Sequence, residues 1–326
     1  PTHADDSHGN GRGILFTNGT GTGKTYTGLG IAKRFIKQGK GRVLIVTPSP
    51  AKVQDWSNDA KNLGITLTPL KGESDKGATM QKGEGAVVTT FANFRQNRAL
   101  MEDVFDLVIY DESHKLMENR QAQESATTVA HYRMTNKDFE SAMERIQLSH
   151  PLWREGEELD AEKSKLMKNH ASLDEARRDP EVSDESIERI EQIDKRLAEI
   201  EQEKALAMPE LTKKANDSVG KTKVVFLSAT PFNMRENLEY AEGYLFKYKM
   251  PKRPENISAE EWKAMRNDAR NQFYRQWFPH GERIGKSGRI EPYISDADKN
   301  DVEERSFADH LMNLGVMSGR TASARL

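Results

Sequence analysis

One stretch near the start of the chain carries the residue types that bind phosphate. It reads Asn18-Gly19-Thr20-Gly21-Thr22-Gly23-Lys24-Thr25, between an apolar run at 13–17 and a helical pattern from Tyr26. Glycines let successive backbone N–H groups point at phosphate oxygens, and the start of a helix adds its positive end. Lys24 could reach the terminal phosphates of a nucleotide while Thr25 binds Mg²⁺. We therefore predict a phosphate-binding loop with these ligands: Gly19, Thr20, Gly21, Thr22, Gly23, Lys24 and Thr25.

Asn18 departs from the usual form of this loop, which has glycine at that position. Asparagine adopts left-handed backbone more readily than most residues, so the loop remains feasible. The alternative is a Gly/Thr turn that binds nothing. The order strand, glycine-rich turn and helix favours the phosphate-binding loop over that alternative.

Two further polar loops follow apolar runs. Asp111-Glu112-Ser113-His114 comes after the run Asp106–Tyr110, and Ser228-Ala229-Thr230-Pro231 comes after Lys223–Leu227. In an open parallel sheet, the loops that leave the carboxyl ends of the strands converge on one crevice. We therefore expect both loops to lie beside the phosphate-binding loop.

These two loops offer side chains for nucleotide hydrolysis. Asp111 could help to hold Mg²⁺, and Glu112 could orient and activate the attacking water, because adjacent residues at a strand end point to different sides. His114 could link the nucleotide to later elements. Ser228 and Thr230 could bond the Asp-Glu segment and couple hydrolysis to movement. Taken alone, each would more often be an ordinary surface or turn residue.

The elements that must position these loops alternate between strand and helix. Continuous apolar runs are typical of parallel strands buried on both faces. This alternation predicts a doubly wound α/β domain. The expected strands are 13–17, 43–46, 63–70, 86–91, 106–110 and 223–227, with a polar loop at 71–85. The expected helices are 26–37, 236–248, 259–277 and 301–314, and a further helix follows Pro50 through Val53, Trp56 and Ala60.

Residues 118–220 interrupt this alternation with charged, helix-forming sequence. Apolar residues recur there at spacings of three and four, and residues 178–181 contain a proline that disfavours helix. We predict an antiparallel helical hairpin inserted in the α/β body. It could bind a protein partner, or it could be a solvated helix pair with only a structural role. The stripe consists of Ile187, Ile190, Ile193, Leu197 and Ile200.

Composition narrows the classes of protein. The chain has 326 residues, which is enough for about two domains or for one domain with insertions. Its net charge is -2, so the overall charge gives no sign of nucleic-acid binding. It has no cysteine, which excludes disulfides and thiolate zinc sites. The sequence contains no run of about eighteen apolar residues, which is the length that a membrane span needs. We therefore expect a cytoplasmic protein. The start lacks Met and a signal pattern, so we expect a fragment or a processed chain with a flexible tail at 1–11.

Three of these motifs together resemble a known superfamily. Gly21-Thr22-Gly23-Lys24-Thr25, Asp111-Glu112-Ser113-His114 and Leu227-Ser228-Ala229-Thr230-Pro231 resemble motifs I, II and III of superfamily 2 helicases and translocases. The resemblance implies a RecA-like fold and the use of ATP and Mg²⁺.

Other segments resemble particular branches. Thr47–Pro50 with Gln54 and Trp56 resembles the motif Ia region of the Snf-type branch, and Val88–Phe91 resembles motif Ib. Phe307–Arg320 is similar to the strawberry-notch group, which occurs in phage and mobile-element proteins. The resemblance implies nucleic-acid contacts at Thr47, Pro48, Ser49, Thr89 and Thr90.

The resemblance also implies how the chain is divided and what it does. Residues 12–117 and 221–248 would form a first RecA-like lobe, 118–220 an insertion, and 249–326 a mostly helical extension towards a second lobe. The function would be that of an ATP-dependent translocase or helicase, with duplex DNA favoured. Two alternatives are a scaffold that has lost hydrolysis and an RNA helicase. Because no motif VI supplies an arginine finger, we expect the fragment alone to be poorly active.

Three weaker signals remain open. Phe273, Trp277 and Phe278 could stack on a single strand, although helical spacing favours a core position. Basic residues in 281–289 could contact phosphates or simply be solvated. Arg12 could lie beside an adenine base.

Overall fold

The computed structural model describes residues 11–17, 23–39, 41–70, 85–102, 104–117, 126–167, 170–179, 182–229, 239–251, 257–280, 283–284, 290–291 and 297–319. The expected tail and the expected polar loop at 71–85 lie almost entirely outside these residues. The strands are β1 (Gly13–Phe16), β2 (Val43–Thr47), β3 (Leu67–Pro69), β4 (Ala86–Thr90), β5 (Leu107–Asp111), β6 (Lys223–Leu227), β7 (Arg283–Ile284), β8 (Ile290–Glu291) and β9 (Met317–Ser318).

Seven of these strands form one parallel sheet in the order β3-β4-β2-β5-β6-β1-β9, while β7 and β8 form an antiparallel pair. Every residue of β2 and β5 is buried. In β2, Leu44 and Val46 pack into the core on one face, and Val43 and Ile45 pack into the core on the other. A strand that is buried on both faces needs a continuous apolar run, as β2 has. The predicted RecA-like α/β fold with a parallel sheet is confirmed.

Helices cover both faces of the sheet. Counted along the chain, the first two helices pack on one face through residues such as Leu29 and Trp56. The third, fourth, ninth and tenth helices cover the opposite face. The helices are α1 (Lys24–Lys37), α2 (Pro50–Asn62), α3 (Phe91–Gln96), α4 (Ala126–Met134), α5 (Phe139–Ser149), α6 (Pro151–Leu166), α7 (Leu173–Arg178), α8 (Asp184–Ser218), α9 (Ala259–Trp277) and α10 (Ala297–Asn313).

The inserted hairpin between β5 and β6 is confirmed. Its long arms are α6 and α8. Their ion pairs show that the two helices are antiparallel, since Glu162 pairs with Arg189 at 2.7 Å while the earlier Glu155 pairs with the later Arg196 at 2.6 Å. In the predicted stripe Ile190, Ile193 and Ile200 are buried, and Ile187 and Leu197 are half-buried. The helices α4 and α5 also lie within 118–220 and were not predicted; α4 packs on the core of the sheet, and α5 packs against α8. The short helix α7, which packs against α8, was not predicted either. It ends at Arg178, and the expected turn residues 180 and 181 lie outside the described residues.

The last third of the chain packs on the same core as the sheet. Phe278 is buried there, and Phe273 and Trp277 are half-buried and pack against the same core. The core alternative is therefore confirmed for Phe278 and holds in part for the other two. The helix expected at 236–248 is wrong in its described part. Gly243 has a φ of 88°, and its N–H donates to Phe246 O at 2.7 Å, which closes a turn instead. The division of the chain at 248 remains a prediction.

The edge strand β9 was missed, because two residues carry no periodic signal. Its Ser318 carbonyl accepts from the N–H of Thr17 at 2.9 Å, immediately before the phosphate-binding stretch. Gly319 follows with a φ of 141°, and a Cβ there would lie 2.3 Å from Thr17 Oγ1. Only glycine fits this close approach of the chain to the end of β1.

Candidate nucleotide-binding site

Three predicted loops leave the same edge of the sheet. The sheet order places β6 between β1 and β5, and all three strands are parallel. At their carboxyl ends, β1 leads into Thr17, β6 leads into Ser228, and β5 ends at Asp111. The described residues of the three loops therefore lie side by side, as expected for a parallel sheet.

Lys24 is the first residue of α1, and its side chain reaches the loop after β5. It is 8% exposed, and its Nζ lies 3.3 Å from Glu112 Oε1. Gly23 precedes it with a φ of 87°, a left-handed conformation that favours glycine. Thr25 is half-buried in the first turn of α1. The other predicted ligands, Gly19, Thr20, Gly21 and Thr22, and the irregular Asn18 lie outside the described residues.

Asp111 is buried at the end of β5 and is held by a tryptophan. The indole N–H of Trp56 donates to Asp111 Oδ2 at 3.0 Å. Burial raises the pKa of Asp111 above its usual value, and the hydrogen bond from Trp56 opposes that shift, as does the charge of Lys24. A buried carboxylate fixed by one hydrogen bond fits the oxygen ligands that Mg²⁺ prefers.

Glu112 has a strained backbone and two charged neighbours. Its φ is 54°, which is rare for a residue with a Cβ, and such strain clusters at functional sites. Its Oε2 lies 3.4 Å from His114 Nδ1, in addition to the contact of Oε1 with Lys24. The carboxylate thus lies between Lys24 and His114, half-buried and next to the buried Asp111.

The loops after β5 and β6 are joined directly. His114 Nδ1 and Ser228 Oγ lie 3.0 Å apart, and Ser228 is fully buried. The expected bond between the serine loop and the Asp-Glu segment is therefore present through His114. Thr230 and Pro231 lie outside the described residues, so the coupling role of Thr230 stays a prediction.

A buried polar network behind the site was missed by sequence reasoning. His131 Nε2 lies 3.1 Å from Tyr240 O, so it must donate, and Nδ1 then accepts from the Tyr110 hydroxyl at 2.8 Å. Ser113 Oγ lies 3.4 Å from the Tyr240 hydroxyl. No local pattern identifies His131, because its partners lie on β5 and in a distant turn. The network connects α4 to the residue that follows Glu112.

This network predicts a pH-dependent stability. The pKa of His131 falls from 6.5 to about 3, chiefly because its ring is buried; the hydrogen bond to Tyr240 O opposes this shift, and the charges of Lys137 and Arg12 add to it. Between those two pH values the unfolded chain binds a proton that the folded protein does not, so the stabilisation is complete above pH 6.5 and is lost as the pH falls. We expect this residue to contribute a slope approaching about 1.4 kcal/mol per pH unit to the free energy of unfolding.

Urea unfolding at several pH values from about 7 to about 4.5 would measure this slope. His131→Gln keeps a polar side chain but removes the titration, so its stability should fall less steeply with decreasing pH than that of the wild type. Equal slopes for the two proteins would contradict the assignment. The comparison of slopes holds even if the variant is less stable throughout.

The residues expected to contact nucleic acid lie at the ends of β2 and β4. Thr47 and Thr89 are fully buried, and Thr47 Oγ1 donates to Thr89 O at 3.2 Å. Pro48, Ser49 and Thr90 are half-buried. The side chains of Thr47 and Thr89 thus serve the fold, and the contact of these five residues with nucleic acid stays a prediction.

The idea that Arg12 lies beside an adenine base is wrong. Arg12 is 7% exposed and donates to Lys137 O at 3.0 Å and to Thr135 O at 2.9 Å. Its guanidinium also lies 5.2 Å from the centre of the Tyr244 ring. These contacts connect the residue before β1 to the turn between α4 and α5. Because the two segments are distant in sequence, no local pattern around Arg12 indicates this role.

One family of known proteins is similar to the first part of the chain. Residues 4–148 match the family model described as Type III restriction enzyme, res subunit. The match includes the phosphate-binding stretch and Asp111–His114. It does not confirm the Snf-type or strawberry-notch branch. No curated protein matches the chain.

One solved structure that resembles the chain is titled a nuclease-deletion mutant of the Type ISP restriction-modification enzyme LlaGI in complex with a DNA substrate mimic. The identity is 11% and the TM-score is 0.27, over 95% of this chain and 38% of that chain. The chain therefore spans well under half of that enzyme.

The described residues also bear on other classes of site. They contain no group of three or more His, Cys, Asp or Glu side chains that could hold a metal ion. Within the same residues, no helix combines the length and the apolar character needed to cross a membrane.

Proposed function

We propose that this chain is the ATP-hydrolysing lobe of a nucleic-acid motor, a translocase or helicase that acts on duplex DNA. The observation that carries the proposal is the meeting of Lys24, Asp111 and Glu112 at one edge of a parallel sheet. A cation at the start of a helix, a buried carboxylate and an adjacent accessible carboxylate are the side chains that phosphoryl transfer to water uses. The match of residues 4–148 to a restriction-enzyme subunit family supports it.

Each side chain has a separate role in this proposal. Lys24 would bind the β- and γ-phosphates of ATP, and Glu112 would accept a proton from the water that attacks the γ-phosphorus. Asp111 and Thr25 would hold Mg²⁺, which has few protein ligands when phosphate oxygens complete its shell. Bound there, Mg²⁺ would offset charge on the phosphates. Most of the catalysis would come from positioning and charge stabilisation.

His114 and Ser228 would transmit the state of the nucleotide. Their 3.0 Å contact joins the loop that carries Glu112 to the end of β6. A second lobe in the full-length protein would supply the arginine that completes the site. Pro48, Ser49 and Thr90, at the same edge of the sheet, would lie along the nucleic-acid backbone.

Measuring ATP turnover by the full-length protein, alone and with duplex DNA, single-stranded DNA or RNA, tests the proposal. We expect duplex DNA to stimulate turnover at least about 10-fold, since bound DNA would order the two lobes around the nucleotide. Stimulation by RNA instead would indicate an RNA helicase. Absence of hydrolysis with every nucleic acid would indicate a scaffold and overturn the proposal. The 326-residue chain alone should turn over ATP slowly.

A further inference from the structure

Trp56 reaches the candidate site from outside the three loops that form it. It lies in the second turn of α2, is fully buried, and donates its indole N–H to Asp111 Oδ2 at 3.0 Å. Phenylalanine would also bury an aromatic ring here, but it has no N–H to donate. The hydrogen bond is therefore the contact that distinguishes tryptophan here.

The neighbouring helix leaves room for the indole. Gly28 lies on the buried side of α1, and a Cβ there would lie 2.6 Å from Trp56 Cη2 and 3.2 Å from Cζ3. Glycine in the middle of a helix costs about 0.5–1 kcal/mol relative to alanine. The packing of α1 against α2 thus accommodates one large ring, and that ring is aimed at the end of β5.

The hydrogen bond limits the orientations open to Asp111. A carboxylate at a strand end can rotate about its side-chain torsions, and a metal ligand must be held in one orientation. The rigid indole is itself fixed by Gly28 and the surrounding core. A bond from a buried, immobile donor therefore sets the direction in which Asp111 presents its oxygens.

We infer that Trp56 is a positioning residue that orients Asp111 for Mg²⁺, with Gly28 providing the space for its ring. The inference rests on the proposed function, because it assigns a metal to Asp111. Partners of this kind, which touch a ligand and not the metal, typically change metal affinity or activity about 10- to 100-fold when they are removed.

The test is nucleotide binding by the 326-residue chain, followed with a fluorescent ATP analogue in EDTA and over a Mg²⁺ titration. Trp56→Phe removes the N–H and keeps an aromatic ring. We expect the Mg²⁺ concentration that gives half of the gain in affinity to rise about 10-fold, with unchanged affinity in EDTA. Trp153→Phe, the same change in the remote insertion, should leave both values as in the wild type.

A second measurement does not depend on a Trp56 variant folding. The indole N–H resonance of Trp56 can be assigned in the wild type by exclusion, with Phe variants at Trp153, Trp262 and Trp277. It should shift when the analogue is added with Mg²⁺ and not when the analogue is added in EDTA. The same resonance change in both conditions, or an unaltered Mg²⁺ dependence in a folded Trp56→Phe protein, would overturn the inference. Failure of the wild type to bind the analogue at all would overturn the proposed function instead.

Discussion

Glu112→Gln is expected to lower ATP turnover at least about 100-fold in the full-length protein, since a positioned general base contributes about 10²- to 10⁴-fold. Glutamine has nearly the shape of glutamate but cannot accept a proton from water. The side chain lies beside Lys24 and His114, so the substitution keeps its place in the site while removing its charge. The affinity for ATP should change only a few-fold, because this carboxylate would act on water and not on the nucleotide.

Turnover and affinity must be measured separately to test this. Glu210→Gln is a suitable control, because Glu210 lies on the exposed surface of α8, paired with Lys214. It should have wild-type values for both. Wild-type turnover by Glu112→Gln would remove the carboxylate from the mechanism. A large loss of affinity would show that Glu112 serves nucleotide binding through Lys24 instead.

Lys24→Ala is expected to weaken ATP binding roughly 10- to 100-fold and to abolish turnover, since hydrogen bonds to charged groups contribute about 1.5–3 kcal/mol. The ammonium is nearly buried and already lies among polar atoms at the carboxyl edge of the sheet. Its loss leaves Glu112 without that neighbour, but Glu112 is partly solvated, so the fold should persist.

Calorimetric titration of the 326-residue chain with a non-hydrolysable ATP analogue measures the first effect. Lys37→Ala provides the matched control, because Lys37 lies at the opposite end of the same helix. Its affinity should equal that of the wild type. If Lys24→Ala bound the analogue as well as the control did, Lys24 would not be a phosphate ligand.

Much of this site could be predicted because its parts are continuous in sequence. Apolar runs identify β1, β2, β5 and β6, and parallel strands bring their following loops to one edge whatever their distance along the chain. The pairing of His114 with Ser228 follows from that geometry. The helices α1, α9 and α10 begin and end within a few residues of their predicted bounds, whereas the helices of the insertion were predicted only as a hairpin over 118–220.

The parts that could not be predicted depend on contacts between distant residues. Trp56 has the sequence pattern of any buried helical residue, and only the packing of α1 reveals that its N–H faces Asp111. His131 and Arg12 likewise form bonds with partners that no local pattern identifies. β9 is too short to register as a strand. In each case tertiary contacts decide the role, and residue type alone does not.

The position of β1 in the sheet has a consequence for how the protein folds during synthesis. β1 is made before the other described strands of its sheet, but its partners β6 and β9 are made much later. At about 5–20 residues per second, roughly 200 residues and some 10–40 s separate β1 from β6. β2, β4 and β5 can pair among themselves during that interval. The strand that leads into the phosphate-binding stretch therefore joins the sheet late, and a stalled or truncated chain would have a partly formed sheet but no nucleotide site.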